Sequence, residues 1–391
     1  MPSVLTKSLI VVILAAASLA AGAQTLLTRI PLASFSGDTA AIDVAVDSAT
    51  NRIYVPIQFV SYSPAGAISY DYFRVLVLDG ATNQVVRRLA SFPAGSYYYG
   101  VAIDPVRNLI YVEMRTYSSG GVATCTVSAV DGQEGETVKT ISLPTGDCGK
   151  MVADPVTGEV YIRAATELDV IESEETGSLE TRSLLAPGYL GTGGLAVSPY
   201  VHRLYITYWA AFGGPDTEYL GFLDTLDDQF SQEKYIPAVI DASINPVVNP
   251  ATGHIFGSSV SYDSSSGDSF NLVTVYNSSG SLLATIAPPV LLGTGDTILG
   301  LDVDPKANLA FVFTRSDITY AGFALNVIDG ASNTVLSSAP LSLPSGSPES
   351  FRGGSVAVNP DTKRVYVPYN KTTIYPPAVN GTFYLNVYSE Q

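Results

Sequence analysis

A short phrase that occurs seven times limits this chain to one architecture. Each copy has an apolar strand, a turn that begins with Asp, Asn or Ser, and a second strand with Tyr or Phe near its start; one copy runs Val101-Ala-Ile-Asp-Pro-Val-Arg-Asn-Leu-Ile-Tyr111. The turns begin at positions 47, 104, 154, 198, 249, 304 and 359, which lie 44 to 57 residues apart. Strand-rich repeats of about 40–50 residues are typical of β-propellers. The phrase therefore predicts an all-β fold, a seven-bladed β-propeller whose blades are four-stranded antiparallel sheets.

The turns within each repeat contain the residue types that tight turns favour. Pro follows the first turn residue in six of the seven copies, as expected for a tight turn. Gly, Asn and His, which tolerate a positive φ, stand four residues after the turn begins in six copies, and Lys363 stands there in the seventh. Asp-Gly pairs at positions 79–80, 131–132 and 329–330 predict a hairpin between the third and fourth strands. We name the four strands of a blade A to D, from the axis outward.

The last repeat lacks its D strand. It provides A around Val356, B at Val365–Pro368 and C at Thr382–Tyr388, and then the chain ends. Residues 25–32 resemble the D strands of other repeats, so we expect the N-terminal strand of the mature chain to pair in the last blade and close the ring. Closure of this kind removes two sheet edges.

Residues 1–23 have the pattern of a secretory signal peptide. Lys7 precedes the apolar stretch Leu9–Leu14 and a run of small residues, and Ala21-Gly22-Ala23 forms a cleavage site. The alternative is an uncleaved anchor, for which the stretch is short. We expect residues 24–391 to form a single propeller domain that is secreted, periplasmic or on the cell surface, and that does not span a membrane once the signal is removed.

The charge balance argues against a nucleic-acid partner. The formal net charge is −16, and no cluster of Lys and Arg offsets it. An acidic surface repels the phosphate backbone.

The two cysteines, Cys125 and Cys148, are placed where they could pair. Cys125 begins the C strand of its blade, and Cys148 precedes the A strand of the next blade, so both lie at the same face of the predicted propeller. An even count in an exported chain predicts a disulfide. Two separate buried thiols are the alternative.

The repeat, with its Asp-Pro-x-x-Asn-x-x-Tyr-Val pattern and its Asp-Gly-x-x-Asn hairpin, resembles the YVTN-type seven-bladed propellers of bacterial and archaeal exported proteins. The resemblance covers nearly the whole chain after residue 23. It implies the fold and export but no catalytic residue, because these motifs are architectural. Related propellers include quinoproteins and lactonases.

The two faces of the predicted disc differ. The A–B and C–D turns on one face are short and uniform, whereas the B–C and D–A loops on the other are long, varied and rich in aromatic residues. Variation on one face of a regular scaffold indicates a binding surface, and Tyr and Trp suit contact with a protein, a peptide or a carbohydrate. The candidate contact residues are Tyr62, Tyr98, Tyr189, Trp209, Tyr262 and Tyr369. The alternative is that these rings pack the loops onto each other.

Polar residues break the apolar pattern of strand A near the axis. Asp43, Lys150 and Asn245 stand four residues before their turns, and Asp302 replaces the small residue that is common two residues before the turn. We expect these four at the mouth of the central channel on the loop-rich face, where they could bind a small ligand or a metal ion. No other cofactor is predicted. The alternative is a hydrated channel with an Asp–Lys pair.

No residue pattern identifies a catalytic site. The two histidines, His202 and His254, fall in A–B turns, which argues against His-based triads and zinc. The sequence therefore favours a monomeric, exported, non-enzymatic binding scaffold. The alternative is an enzyme of lactonase or quinoprotein type with its site at the channel mouth.

Overall fold

The computed structural model describes most of the chain after residue 23, and residues 1–23 lie outside the described part. The described residues are 24–36, 38–62, 68–89, 92, 95–117, 122–143, 146–163, 167–173, 179–185, 193–210, 217–226, 230–236, 239–240, 244–262, 269–287, 296–316, 322–341, 349–375 and 378–390. Within these ranges the regular elements are strands, and none contains a helix long and apolar enough to cross a membrane.

The strands form seven antiparallel blades, as the sequence predicts. The first strand of the described part is β1 (Leu26–Ser36), and blade 1 follows with β2 (Asp38–Ile42), β3 (Ala45–Asp47), β4 (Arg52–Tyr62), β5 (Ile68–Asp79) and β6 (Gln84–Arg88). Blade 2 has β7 (Tyr97–Asp104), β8 (Leu109–Tyr117), β9 (Ala123–Asp131) and β10 (Thr137–Ser142), and blade 3 has β11 (Met151–Ala153), β12 (Val160–Arg163), β13 (Glu167–Ser173) and β14 (Leu179–Leu185).

The remaining blades repeat this order. Blade 4 has β15 (Leu195–Ser198), β16 (Arg203–Ala210), β17 (Thr217–Asp224) and β18 (Phe230–Ile236), and blade 5 has β19 (Val239–Ile240), β20 (Val247–Asn249), β21 (His254–Tyr262), β22 (Ser269–Tyr276) and β23 (Leu282–Ile286). Blade 6 has β24 (Asp296–Asp304), β25 (Leu309–Ser316), β26 (Phe323–Asp329) and β27 (Thr334–Pro340), and blade 7 has β28 (Glu349–Gly353), β29 (Ala357–Asn359), β30 (Arg364–Tyr375) and β31 (Ala378–Ser389).

The ring closes through the N-terminal strand. β1 pairs antiparallel with β31, from Leu26 opposite Tyr388 to Ser36 opposite Asn380, and so provides the fourth strand of blade 7. At the axis, the A strands contact one another in a cycle that ends with β29 against β3. The predicted closure is confirmed.

Seven apolar clusters hold the blades together, one at each seam between neighbours. The Tyr or Phe near the start of each B strand is almost fully buried and belongs to the seam with the following blade. Tyr54 packs between blades 1 and 2, for example, and Tyr366 packs between blades 7 and 1. A blade buries one face of its sheet only when a neighbour covers it, so the packing requires a complete ring.

The predicted left-handed turn position is confirmed in every blade. The seven residues have φ values between 48° and 75°, and the set includes Lys363 at 54°. In five blades the described residues show the carbonyl of this residue accepting a hydrogen bond from the backbone N–H that directly follows strand C, as from Gly132 to Asn108 at 2.8 Å and from Glu390 to Lys363 at 2.8 Å. This bond ties the outer strand pair of a blade to the inner pair.

At this contact, the residue type at the left-handed position limits the residue type that can follow strand C. In blades 1, 2 and 6 the left-handed residue is Asn and the hairpin residue is Gly, and the Asn side chain occupies the space that a Cβ on the Gly would need. A Cβ on Gly132 would lie 2.5 Å from Oδ1 of Asn108. In blades 4 and 7, where the left-handed residue is His202 or Lys363, the residue that follows strand C and donates this bond is Thr225 or Glu390. Gly is therefore required only where Asn fills this space.

Replacing Gly132 by Ala is expected to destabilise the protein by about 1–3 kcal/mol, because the new methyl group overlaps the Asn108 side chain. The double variant Gly132→Ala/Asn108→Gly should recover most of this loss, since Gly tolerates the positive φ at position 108. Urea unfolding of the two variants and of Asn108→Gly alone measures the coupling. Additive effects of the two substitutions would contradict it.

Removing residues 24–36 should leave the long edge of β31 unpaired. We expect a lower melting temperature and self-association that grows with protein concentration, because an open strand edge pairs with other chains. Size-exclusion chromatography at several concentrations, with the chain that begins at Gln24 as the control, tests this. A monomer with an unchanged melting temperature would show that β1 does not close the ring.

Candidate functional site

The A strands are irregular at one level, four residues before the turn. In blades 1, 5 and 7 the strand is split in two there, between β2 and β3, β19 and β20, and β28 and β29. In blades 2 and 6 the register with strand B shifts between Tyr98 and Gly100 and between Ile298 and Gly300. Backbone N–H and C=O groups that leave the β-ladder need other hydrogen-bond partners. This level is the channel mouth on the loop-rich face.

Asp43 joins three blades at this mouth. Its Oδ2 accepts a hydrogen bond of 2.9 Å from the hydroxyl of Tyr98 in blade 2, and its Oδ1 accepts one from the hydroxyl of Ser355 in blade 7. Oδ1 also accepts from the N–H of Val44 at 2.8 Å, and that N–H donates to Oγ of Ser355 at 3.0 Å. Both oxygens of Asp43 are thus engaged between blades.

Asn245 and Asp302 have the same role. Oδ1 of Asn245 in blade 5 accepts a hydrogen bond of 3.2 Å from the N–H of Leu195 in blade 4. Oδ2 of Asp302 in blade 6 accepts one of 2.6 Å from the N–H of Val358 in blade 7, and Oδ1 accepts one of 2.8 Å from the N–H of Val303. These side chains connect neighbouring A strands.

Burial raises the pKa of Asp302 to about 7. The hydrogen bonds from Val303 and Val358 favour the ionised form and oppose this shift, whereas the nearby charge of Asp304 adds to it. The Asp302 carboxyl is therefore a group that titrates near neutral pH at the channel mouth.

Lys150 precedes the A strand of blade 3, at the seam between blades 2 and 3. It is half-buried, its carbonyl accepts a hydrogen bond of 2.9 Å from the N–H of Arg163, and its charge acts on Glu113. Glu113 lies in the B strand β8 and is fully buried. The four predicted residues thus belong to four different blades, and their binding of a ligand stays a prediction.

Glu113 is the functional candidate that the sequence reasoning missed, although the repeat holds a signal for it. Nine residues after the start of the turn, the other blades have Pro56, Arg163, Thr207, Ser258, Phe313 and Pro368. An acidic residue at this level of an apolar strand is an exception that this alignment would have revealed.

The structure joins Cys125 and Cys148 in a disulfide with a Cα–Cα distance of 5.3 Å. Cys125 lies in the C strand β9, and Cys148 lies in the loop that leads to β11, so the bond links blades 2 and 3. Oε1 of Glu113 is 3.7 Å from Sγ of Cys125 and accepts a hydrogen bond of 3.0 Å from the N–H of Gly149.

Among the described residues, one group brings three metal-ligating side chains together. Glu113, Cys125 and Cys148 place their ligand atoms within 4.8 Å of one another, but the two sulfur atoms are bonded to each other. At the channel mouth, the described part of the chain has no such group. The metal ion that the sequence allowed there remains an expectation.

The predicted aromatic contact residues divide into two sets. Tyr98 and Tyr369 are 4% and 1% exposed and lie in the seams, so they offer no accessible ring to a partner. This corrects the expectation for these two. The side chains of Tyr62, Trp209 and Tyr262, and the whole of Tyr189, lie outside the described part of the structure.

A patch of aromatic and cationic side chains does occupy the loop-rich end of blade 2. We call it the blade-2 patch and define it as Tyr97, Tyr99, Arg115, Tyr117 and Val122. Tyr97 and Tyr99 meet edge to face at 5.5 Å, the Arg115 guanidinium lies 4.7 Å from the Tyr99 ring centre, and Tyr117 and Val122 are 51% and 64% exposed. The register shift after Tyr98 turns that ring inward while its neighbours lie on the other side of the strand.

The comparisons with known proteins identify the fold only. No family model and no curated protein matches the chain. Among solved structures, 804 chains match. One is the crystal structure of the β-propeller domain of Myceliophteria thermophila Cps50 (Swd1), with a TM-score of 0.56 and 9% identity over 94% of this chain and 100% of that one. At this identity the similarity supports the β-propeller fold, and the YVTN-type resemblance remains a prediction.

Asp302 should make stability depend on pH. Its folded pKa of about 7 lies above the usual Asp value, so its stabilising contribution is fully present below about pH 4 and is lost as the pH rises through 7. Relative to Asp302→Asn, the free energy of unfolding of the wild type should fall by up to a few kcal/mol between pH 4 and 8. Urea unfolding across this range measures the difference.

The exposed Glu134 provides a control for the loss of one negative charge, as Glu134→Gln. If the difference between the wild type and Asp302→Asn changed with pH no more than the difference between the wild type and Glu134→Gln, the carboxyl of Asp302 would not titrate in this range.

Proposed function

We propose that the protein is an exported, non-enzymatic binding scaffold that holds a protein, peptide or carbohydrate surface on its loop-rich face. The observation that carries this proposal is the blade-2 patch, which places adjoining aromatic rings, a guanidinium and an exposed apolar side chain at that face. Tyr and Arg are enriched at the centres of binding interfaces, because they combine a large contact area with polar groups.

The rigid seams beneath the patch support the same proposal. Tyr98, between Tyr97 and Tyr99 in the chain, is locked in the core and hydrogen-bonded to Asp43. Tyr97 and Arg115 lie opposite each other in the β7–β8 ladder. A contact surface that is already ordered loses little conformational entropy on binding.

Export is proposed on the pattern of residues 1–23 and on the acidic composition. In an oxidising compartment the bond between Cys125 and Cys148 would be retained. We therefore propose a secreted, periplasmic or cell-surface location.

An enzyme of lactonase or quinoprotein type is the second candidate, and the pKa of Asp302 near 7 is the observation in its favour. Against it, Asp43, Asn245 and Asp302 already accept hydrogen bonds from neighbouring blades. Elemental analysis and the absorption spectrum of the purified protein separate the two candidates, because a stoichiometric metal or a quinone chromophore would favour the enzyme.

The double variant Tyr99→Ala/Tyr117→Ala should weaken binding to the proposed partner at least about tenfold, because it removes aromatic contact area from the blade-2 patch. Glycan and peptide arrays probed with the wild-type protein identify a ligand, and titration of that ligand gives the affinities. The melting temperature should change little, since Tyr117 is half exposed and Tyr99 lies outside the seam clusters.

Tyr200→Ala is the matched control. Tyr200 is 74% exposed and lies in the A–B turn of blade 4, on the uniform face. Its loss should leave the affinity unchanged. If Tyr200→Ala lowered the affinity and the double variant did not, the binding surface would lie on the opposite face.

A further inference from the structure

The carboxyl of Glu113 lies next to the sulfur atom of Cys125 and has few hydrogen-bond partners. It is fully buried, and Oε1 receives one hydrogen bond, from the N–H of Gly149 at 3.0 Å. Oε2 has no hydrogen-bond partner among the described residues. A buried carboxylate normally needs several donors to offset the loss of water, so the ionised form is poorly stabilised here.

The disulfide cannot supply the missing donor, but a reduced cysteine would. Sγ of Cys125 lies 3.7 Å from Oε1 of Glu113, and in the disulfide this sulfur carries no hydrogen. When the bond is reduced, the Cys125 thiol can donate an S–H hydrogen bond to the Glu113 carboxylate. The ionisation of Glu113 and the oxidation state of Cys125 are therefore coupled by geometry.

We propose that Cys125–Cys148 is a redox-active disulfide that exchanges with dithiol reductants, and that Glu113 is the acid and base that serves the sulfur of Cys125. Cys148 is the less buried of the two cysteines and is therefore the sulfur open to attack. Arg115 of the blade-2 patch lies directly opposite Cys125 in the β8–β9 ladder, so the patch borders the exchange site.

The exchange balances as follows. A thiolate of the dithiol attacks Sγ of Cys148, the S–S bond breaks, and its electron pair passes to Sγ of Cys125. The neutral Glu113 carboxyl gives its proton to that sulfur and becomes the carboxylate. The second thiol of the reductant loses its proton to water. It then attacks the reductant's first sulfur atom, which is bonded to Cys148 in the mixed disulfide. Cys148 leaves as a thiolate and is protonated by water.

Burial raises the pKa of Glu113 to about 8, so the proton is in place at neutral pH. The hydrogen bond from Gly149 and the charges of Arg115 and Lys150 lower this pKa, whereas the charge of Asp169 raises it. Arg163, in strand β12 of the neighbouring blade 3, also interacts electrostatically with Glu113. The proton donor is lost as the pH rises through about 8.

The test is the rate at which dithiothreitol reduces the folded protein, followed by alkylation and mass spectrometry from pH 6 to 9.5. Expressed per dithiothreitol thiolate, the wild-type rate should be constant below pH 8 and fall above it. Glu113→Gln should lower the rate at pH 7 about tenfold or more and abolish this fall. Asp169→Asn is the matched control, because it removes a buried carboxyl near Glu113 that bonds to Ser183 instead of sulfur. It should keep the wild-type rate at pH 7 and the fall in rate, and it should move that fall to a slightly lower pH, since the charge of Asp169 raises the pKa of Glu113.

Equal rates and pH profiles in the wild type and Glu113→Gln would overturn the proposal. So would reduction that proceeds only at the rate of global unfolding. If Glu113→Gln does not fold, infrared difference spectra of the wild type decide: reduction should remove the C=O band of a neutral carboxyl, and Glu113→Asp should shift that band. An unchanged carboxyl band on reduction would show that Glu113 does not exchange its proton with Cys125.

Discussion

The packing of one aromatic ring in each seam is the interaction on which the rest of the structure depends. A Tyr or Phe near the start of every B strand is buried between its own blade and the next, and the sevenfold phrase exists because this contact is needed seven times. An isolated blade would leave this ring and much of one sheet face in water. The fold is therefore cooperative around the ring, and the pairing of β1 with β31 completes the last blade.

Crowding at the axis explains the polar residues that resemble a binding site. Seven A strands converge there, and Gly194 and Gly300 lie so close to the next blade that an added Cβ would be within 2.5–2.7 Å of it. Several A strands break or shift at this level, and Asp43, Asn245 and Asp302 accept the hydrogen bonds of the adjoining N–H groups. These side chains complete the backbone hydrogen bonding where the A strands leave the β-ladder.

The sequence predicts the features of the fold that depend on residues close together in the chain. Residue types at fixed offsets predict the left-handed turn residues and the Asp-Gly hairpins, and even Lys363 adopts the expected φ. The similarity of residues 25–32 to the D strands of other repeats predicts that the N-terminal strand completes the last blade. The inward position of Tyr98 could not be predicted, because a register shift after it, and not strict alternation, determines which face the ring takes. The bond from Tyr98 to Asp43 likewise joins groups 55 residues apart on two blades. Glu113 was detectable by aligning the B strands, but its contact with Cys125 needed the structure.

The seam between blades 2 and 3 contains a disulfide and a buried acid, which closure of the ring does not require. The chain has only two cysteines, so the other six seams close without a disulfide and the ring does not need a covalent bond at every blade. This one seam contains the disulfide, the buried Glu113 and the nearby Lys150, and it lies below the blade-2 patch. A buried acid destabilises a seam that apolar residues could fill. A role in sulfur chemistry accounts for both the acid and its position, whereas stability alone accounts for neither.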